Sequence, residues 1–311
     1  MQIVDFDYNH MERAIQIAKA NYEEERAKVP MLPEINSWPD LEHFAENKLG
    51  VVAFEGNQMI GYLCCYLPID DAFHTTGARG TFSPIHAHGV TGENRDRVYS
   101  KLYQAAAEKW VKEGIISHAI ALYAHDKATM NSFFYNGFGL RCIDAICMLE
   151  EIVVIENSSL NYVELPKEEW GILLELHNLL IAHLGCSPTF MSYPSINEEE
   201  FFKRTGEDTR FFAVKDENCC IAFIKIGAEG ENFACNDSSM MNICGAYCLP
   251  EYRGTGVYHN LLAYLISVLK SEGYQRLGVD FESINPNACG FWFKYFTEYT
   301  NSVVRRIDEK R

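Results

Sequence analysis

The chain has 311 residues, long for one compact domain and comfortable for two. Its composition, 48% hydrophobic and 23% charged, is that of an ordinary globular protein able to bury a sizeable core. A formal net charge of −16 argues against a nucleic-acid or anionic-membrane partner, whose footprint is a basic patch; it is compatible with a cationic acceptor such as an amine, and a role in solubility explains it equally well.

Ile3, Val4 and Asp5 open a strand-like segment, followed by a helical run over 10–25 in which Glu23, Glu24 and Glu25 read as the solvated face. Two strand runs, 51–54 and 59–67, flank a polar turn at 55–58, which is a hairpin signal. Over 96–113, Val98, Leu102, Ala105, Ala106 and Trp110 form one stripe of an amphipathic helix that Gly114 stops. A strand at 117–124, a helix at 127–135 and a strand at 140–150 follow. The stretch 152–161, with Glu156, Asn157, Ser158 and Ser159 at its centre, reads as a linker.

The same order then returns at an offset of about 160 residues. Tyr162, Val163 and Glu164 open a strand, 167–183 a helix, and 211–214 with 219–226 a hairpin around the polar turn 215–218. A strand at 241–248 leads through a loop into a helix at 259–272, with Leu261, Leu262, Leu265, Val268 and Leu269 on one face and Gly273 after it. A strand at 276–283, a helix at 286–296 and a strand at 301–307 complete the copy.

The loop of the second copy reads Leu249-Pro250-Glu251-Tyr252-Arg253-Gly254-Thr255-Gly256-Val257-Tyr258. A strand, a glycine turn and a helix start aim unpaired N–H groups and a partial positive charge at a phosphate, and Arg253 adds a forked donor. It is no P-loop, since no Gly-Lys-Ser/Thr follows, and no dinucleotide fingerprint, since the third glycine is missing. Arg253 to Tyr258 resembles motif A of the GNAT superfamily of acyl-CoA N-acyltransferases, Arg/Gln-x-x-Gly-x-Gly/Ala, with Tyr258 in place of the last small residue. The order of elements is also that family's. The resemblance therefore implies an α/β fold (α+β, mixed sheet) of two tandem domains, 1–154 and 155–311, each a mostly antiparallel mixed sheet flanked by helices.

What the resemblance implies for chemistry falls on the second copy. Ala246, Tyr247 and Cys248 would pair with the pantetheine arm, and an N–H near Cys248 would hold the oxyanion. Arg253, Gly254, Thr255, Gly256, Val257 and Tyr258 would wrap the pyrophosphate, and Asn285 would contact the cofactor arm. The family's general acid, a tyrosine, falls at Trp292, whose indole N–H is no proton source near neutral pH, so Trp292 is expected only to touch cofactor. Tyr295, three residues on, could substitute, as could Tyr258. Asp280 and Glu282 share a strand face and are the candidates for general base, against a reading as ordinary solvated carboxylates.

In the first copy the matching loop, Ile85 to Arg95, lacks the motif spacing, and Glu93 would set a carboxylate beside any pyrophosphate. That copy is expected to have lost cofactor binding, although Asn131 to Gly139 still looks like a later motif of the family. His86 and His88 have no third ligand at metal spacing and read as pocket-lining or surface residues, and His259 as an exposed one; no metal is expected. Nearly all of the eleven cysteines, without a CxxC, read as small buried hydrophobes in a reducing compartment, and the start of the chain has no leader-like pattern, so a cytoplasmic protein is expected. The expected function is acetyl transfer from acetyl-CoA, as co-substrate, to a primary amine, on a small molecule rather than a protein. Its rivals are a non-catalytic acyl-CoA-binding module and an O- or S-directed acyltransferase, and a homo-oligomer stays open.

Overall fold

The computed structural model describes residues 1–74, 77–155, 160–217 and 219–307. The expected linker residues Glu156 to Ser159 and the turn residue Asn218 lie outside the described residues. The first copy runs β1 (Gln2–Asp5), α1 (Met11–Arg26), α2 (Glu42–Asn47), β2 (Val51–Glu55), β3 (Gln58–Leu63), β4 (Gly80–Ser83) and β5 (His88–Val90). It continues through α3 (Arg95–Lys112), β6 (Ser117–Tyr123), α4 (Lys127–Tyr135) and β7 (Gly139–Met148). The second runs β8 (Asn161–Leu165), α5 (Leu174–Gly185), α6 (Glu198–Lys203), β9 (Arg210–Asp216), β10 (Cys219–Gly227) and β11 (Met240–Cys248). It closes with α7 (Val257–Ser271), β12 (Arg276–Glu282), α8 (Pro286–Trp292) and β13 (Thr297–Arg306). The repeated order is thus present, with α2, α6 and β4 added. The helix expected from residue 167 starts as a 3₁₀ segment, Lys167–Leu173, whose Trp170 is buried and donates its indole N–H to the Leu165 carbonyl at 3.1 Å.

The chain forms two compact units, one joining Met1–Asp144 to the stretch from Thr297 onward, the other Ala145–Phe296. The last strand therefore does not stay with the copy that precedes it. β13 lies antiparallel to β6 over seven residue pairs, from Thr300↔Tyr123 to Arg306↔Ser117. β6 is buried along its whole length and takes β4 as a parallel neighbour on its other edge. An alternating sequence marks a strand but carries no address for its partner, so the pairing was not readable.

In the first unit the α3 stripe packs inward as its spacing demands. Val98, Leu102, Ala106 and Trp110 are buried, joined by Tyr99 and Tyr103, against Val51, Leu63 and Val303. The Trp110 indole N–H donates to the Leu49 carbonyl at 3.1 Å, which satisfies its one polar atom. The strand before α3 is split: β4 pairs with β6, and three-residue β5 pairs with β3. In the second unit the strands run in the order β12-β11-β10-β9-β8, and Leu261, Leu262, Leu265, Ile266 and Leu269 of α7 are buried. No helix among the described residues is long and apolar enough to cross a membrane.

Candidate active site

The site of the second unit begins with a defect in β11. Against β10 its register runs from Ala222↔Cys248 to Lys225↔Gly245, then jumps to Ile226↔Ile243, so Cys244 is an extra, unpaired residue. Such a bulge bends its strand. On the other edge β11 pairs in parallel with β12 only from Met240↔Arg276 to Ile243↔Val279. Bulge and end of pairing coincide, so from Cys244 onward the β12-facing backbone of β11 is open to another extended chain.

The loop after β11 supplies charge and unpaired donors. Gly254 and Gly256 have φ of +77° and +89°, values that L side chains rarely adopt. Gly256 is also the residue that enters α7, and among the described residues no side chain caps that helix's first turn. Its leading N–H groups and the positive end of the helix dipole therefore face outward, as an anion site requires. Arg253 donates Nε–H to the Cys248 carbonyl at 2.9 Å and lies over the Tyr247 ring at 5.3 Å, so its charge is held at the mouth of the opening.

These parts line one cavity of about 500 Å³, within the range of small-molecule sites. Of the expected cofactor residues, Ala246, Tyr247, Cys248, Arg253, Gly254, Gly256, Tyr258, Asn285 and Trp292 line it. Thr255 and Val257 are not among the described lining residues: the Thr255 hydroxyl donates to the Tyr252 carbonyl at 2.7 Å, and Val257 is buried. Asn285 caps α8, accepting from the N–H of Asn287 at 3.2 Å and of Ala288 at 3.3 Å. Burial pushes the Cys248 thiol up to about 11, so it is neutral at neutral pH.

The candidate proton-transfer groups separate. Tyr295 lines the cavity; Asp280 and Glu282, half-buried on one face of β12, are outside its described lining. Trp292 is buried among Tyr258, Phe291 and Phe296, with ring centroids 6.0, 4.9 and 5.5 Å away. The Tyr258 ring, where a small residue was expected, stands edge-on to Phe291 at 4.9 Å, and its hydroxyl reaches the Phe223 carbonyl at 3.4 Å. Burial raises that hydroxyl's pKa well above the usual tyrosine value, so Tyr258 serves as wall.

Of the wall residues that sequence reading missed, three stand out. His183, at the end of α5, faces the cavity beside Tyr247; burial, and after it the charge of Arg253, lower its pKa, while a hydrogen bond to Asn285 acts against both. Ile155, from the expected linker, exchanges backbone bonds with the Asn260 side chain at 2.9 and 2.7 Å and covers Gly256. His259, read as exposed, is half-buried: Nδ1 lies 2.6 Å from the Tyr295 hydroxyl and Nε2 2.7 Å from the Val153 carbonyl. Only His259 carried a signal in the sequence, its place at the start of the helix after the glycine loop.

The first unit differs at the matching place. Asp126 caps the helix after β6, as Asn285 caps the helix after β12, but it is a carboxylate held by Arg95 at 2.9 Å, and Arg95 also binds Glu24 at 2.5 Å. Buried Glu25 binds His125 Nδ1 at 2.7 Å beside them. Three carboxylates and their partners occupy the ground that would have to accept an anion. His86 and His88 are both buried, not pocket or surface residues; His88 is bonded to the Tyr99 hydroxyl at 2.9 Å and the Ala121 carbonyl at 2.6 Å. Among the described residues no group of three His, Cys, Asp or Glu is placed to hold a metal.

Residues 175–296, which contain nearly all of the cavity's lining, match the model of the acetyltransferase (GNAT) family. The fold as a whole is similar to that of a GCN5-related N-acetyltransferase from Sphaerobacter thermophilus, with a TM-score of 0.62 at 10% identity over 98% of this chain and 95% of that one. It is also similar to a tandem GNAT protein from the clavulanic acid biosynthesis pathway, with a TM-score of 0.50 at 12% identity over 98% of both chains. At these identities the likeness is one of fold. A comparison with curated proteins finds no match.

Proposed function

We propose, from the premise that residues 175–296 belong to the acetyltransferase (GNAT) family and serve acyl transfer, that the protein moves an acetyl group from acetyl-CoA to a primary amine. The observation that carries this reading is the coincidence, in one cavity, of the strand opening beyond Ile243 and the uncapped, glycine-bounded start of α7. The open edge of β11 suits the amide-bearing pantetheine arm, and the α7 amides with Arg253 suit the pyrophosphate. The thioester would then lie beside Cys248, whose N–H is the candidate oxyanion donor.

Direct attack of the amine within a ternary complex is favoured over an acyl-enzyme. Cys248, held as a neutral thiol, is a poor nucleophile. Holding both substrates in one cavity supplies much of the rate through proximity. The attacking nitrogen must lose a proton and the departing thiolate must gain one. His183 and the Tyr295–His259 pair are the cavity-lining groups suited to this, rather than Asp280 or Glu282. The acidic total supports a cationic small-molecule acceptor, and the cysteine pattern a cytoplasmic setting.

The test is calorimetry with acetyl-CoA, followed by thiol release across a panel of small amines. Binding with turnover is the expected result. Tight binding with no turnover on any amine would favour a binding module, a reading that draws its support from Trp292 at the acid position.

A further inference from the structure

Both nitrogens of His259 are engaged, and the partners dictate where its proton sits. The Val153 carbonyl can only accept, so Nε2 carries the hydrogen and donates it across 2.7 Å. In the neutral ring Nδ1 is then bare, and the Tyr295 hydroxyl donates to it across 2.6 Å. With its hydrogen committed to the ring, the Tyr295 oxygen offers lone pairs, not a proton, to any other neighbour. The expected acid is therefore set up at rest to receive.

The same array occurs twice in the first unit: His88 between Tyr99 and Ala121, and His118 between Tyr103 and Ile115. There every member is buried, and the bonds do no more than satisfy a core imidazole. Tyr295 and His259 differ because both line the cavity.

The geometry points to Tyr295 and His259 as a single proton store for both halves of the transfer, Tyr295 touching the reactants and His259 acting behind it. This rests on the acyl-transfer reading of the same cavity. In the first half the amine nitrogen's lone pair forms the C–N bond, and the carbonyl π pair moves to oxygen. The nitrogen's surplus proton passes to the Tyr295 oxygen as that hydroxyl's own proton moves to His259 Nδ1. In the second half the oxygen's pair restores the carbonyl, and the C–S bond breaks with its electrons on sulfur. The thiolate takes a proton from the Tyr295 oxygen, which recovers its own from Nδ1. The pair ends as it began, and no proton is drawn from solvent. A tryptophan at the family's acid position costs nothing in this scheme, because one pair serves as base and then as acid. The Val153 carbonyl fixes the ring's tautomer, which gives the start of the linker stretch a part in the site.

The test uses the full-length chain and three readouts. Nitrogen NMR of the histidine-labelled protein should show His259 with Nε2 protonated and Nδ1 bare, and Tyr295→Phe should shift Nδ1 alone. His259→Asn can keep an acceptor near the Nδ1 position but cannot store a proton. It and Tyr295→Phe should each lower kcat by about 10²–10⁴-fold, the usual worth of acid–base catalysis. Calorimetric Kd and KM for acetyl-CoA should stay within about threefold, and the double variant should be no slower than the worse single one. A His259→Asn enzyme near wild-type kcat, or the opposite tautomer in the wild type, overturns the proton store and leaves acyl transfer standing. Wild-type protein that fails to bind acetyl-CoA, or binds it without turning over any amine, overturns the acyl-transfer reading and the store with it. If a variant fails to fold, the wild-type tautomer still decides.

Discussion

At the scale of single residues the loop rests on Gly256. Its φ of +89° would strain any L side chain, and a Cβ there would meet Ile155 Cδ1 at 3.2 Å. Gly254, at +77°, has open space where its Cβ would go. Gly256→Ala should therefore weaken acetyl-CoA binding by about tenfold or more, the equivalent of about 1.4 kcal/mol, and Gly254→Ala by less. Calorimetry on both variants checks this, and equal, wild-type affinities would sink the phosphate-loop reading. The glycines were legible because a glycine turn before a helix is a local signal. Arg253 was legible as a charge but not as a side chain pinned by the Cys248 carbonyl, and His183 not at all, since α5 lies about 60 residues before the loop in sequence.

At the scale of elements, the buried imidazoles of the first unit, His88 and His118 among them, tie its stability to pH. Burial lowers His88 and His118 from an ordinary 6.5 to about 4, although each Nε2 bond to a carbonyl acts in the opposite direction. Between those values the unfolded chain holds the two protons and the folded chain does not. Stability is therefore whole above about pH 6.5 and falls as pH drops toward 4, by about 1.4 kcal/mol per pH unit for each ring. The urea midpoint of this unit should decline across that window; a flat midpoint would show that the rings are protonated in the native state. The helices that pack over these rings were readable from their apolar stripes, because a 3.6-residue period is local. That Tyr99 and Tyr103 of α3 turn their hydroxyls to the two imidazoles depends on β5 and β6 lying beneath the helix, which no local pattern encodes.

At the scale of the whole molecule, the second copy's last strand completes the first unit. Val303 of β13 is fully buried in the same core as Trp110 and Leu122. Val303→Asp should place an unpaired charge there, cost more than about 3 kcal/mol, and strip β6 of its hydrogen-exchange protection. Loss of protection confined to β12 and α8 would instead return β13 to the copy that precedes it in sequence. The amino-acid sequence by itself determined the tandem order of strands and helices, the glycine loop and the copy that carries it. Each of these is written in local periodicity, in glycine and in the charge of one short stretch. Tertiary structure decided which unit owns β13, that the strand opening begins at Cys244, and that a histidine sits behind Tyr295. Those depend on register and on side chains meeting across distant elements, and pairing energy is spent between segments that no single stretch contains.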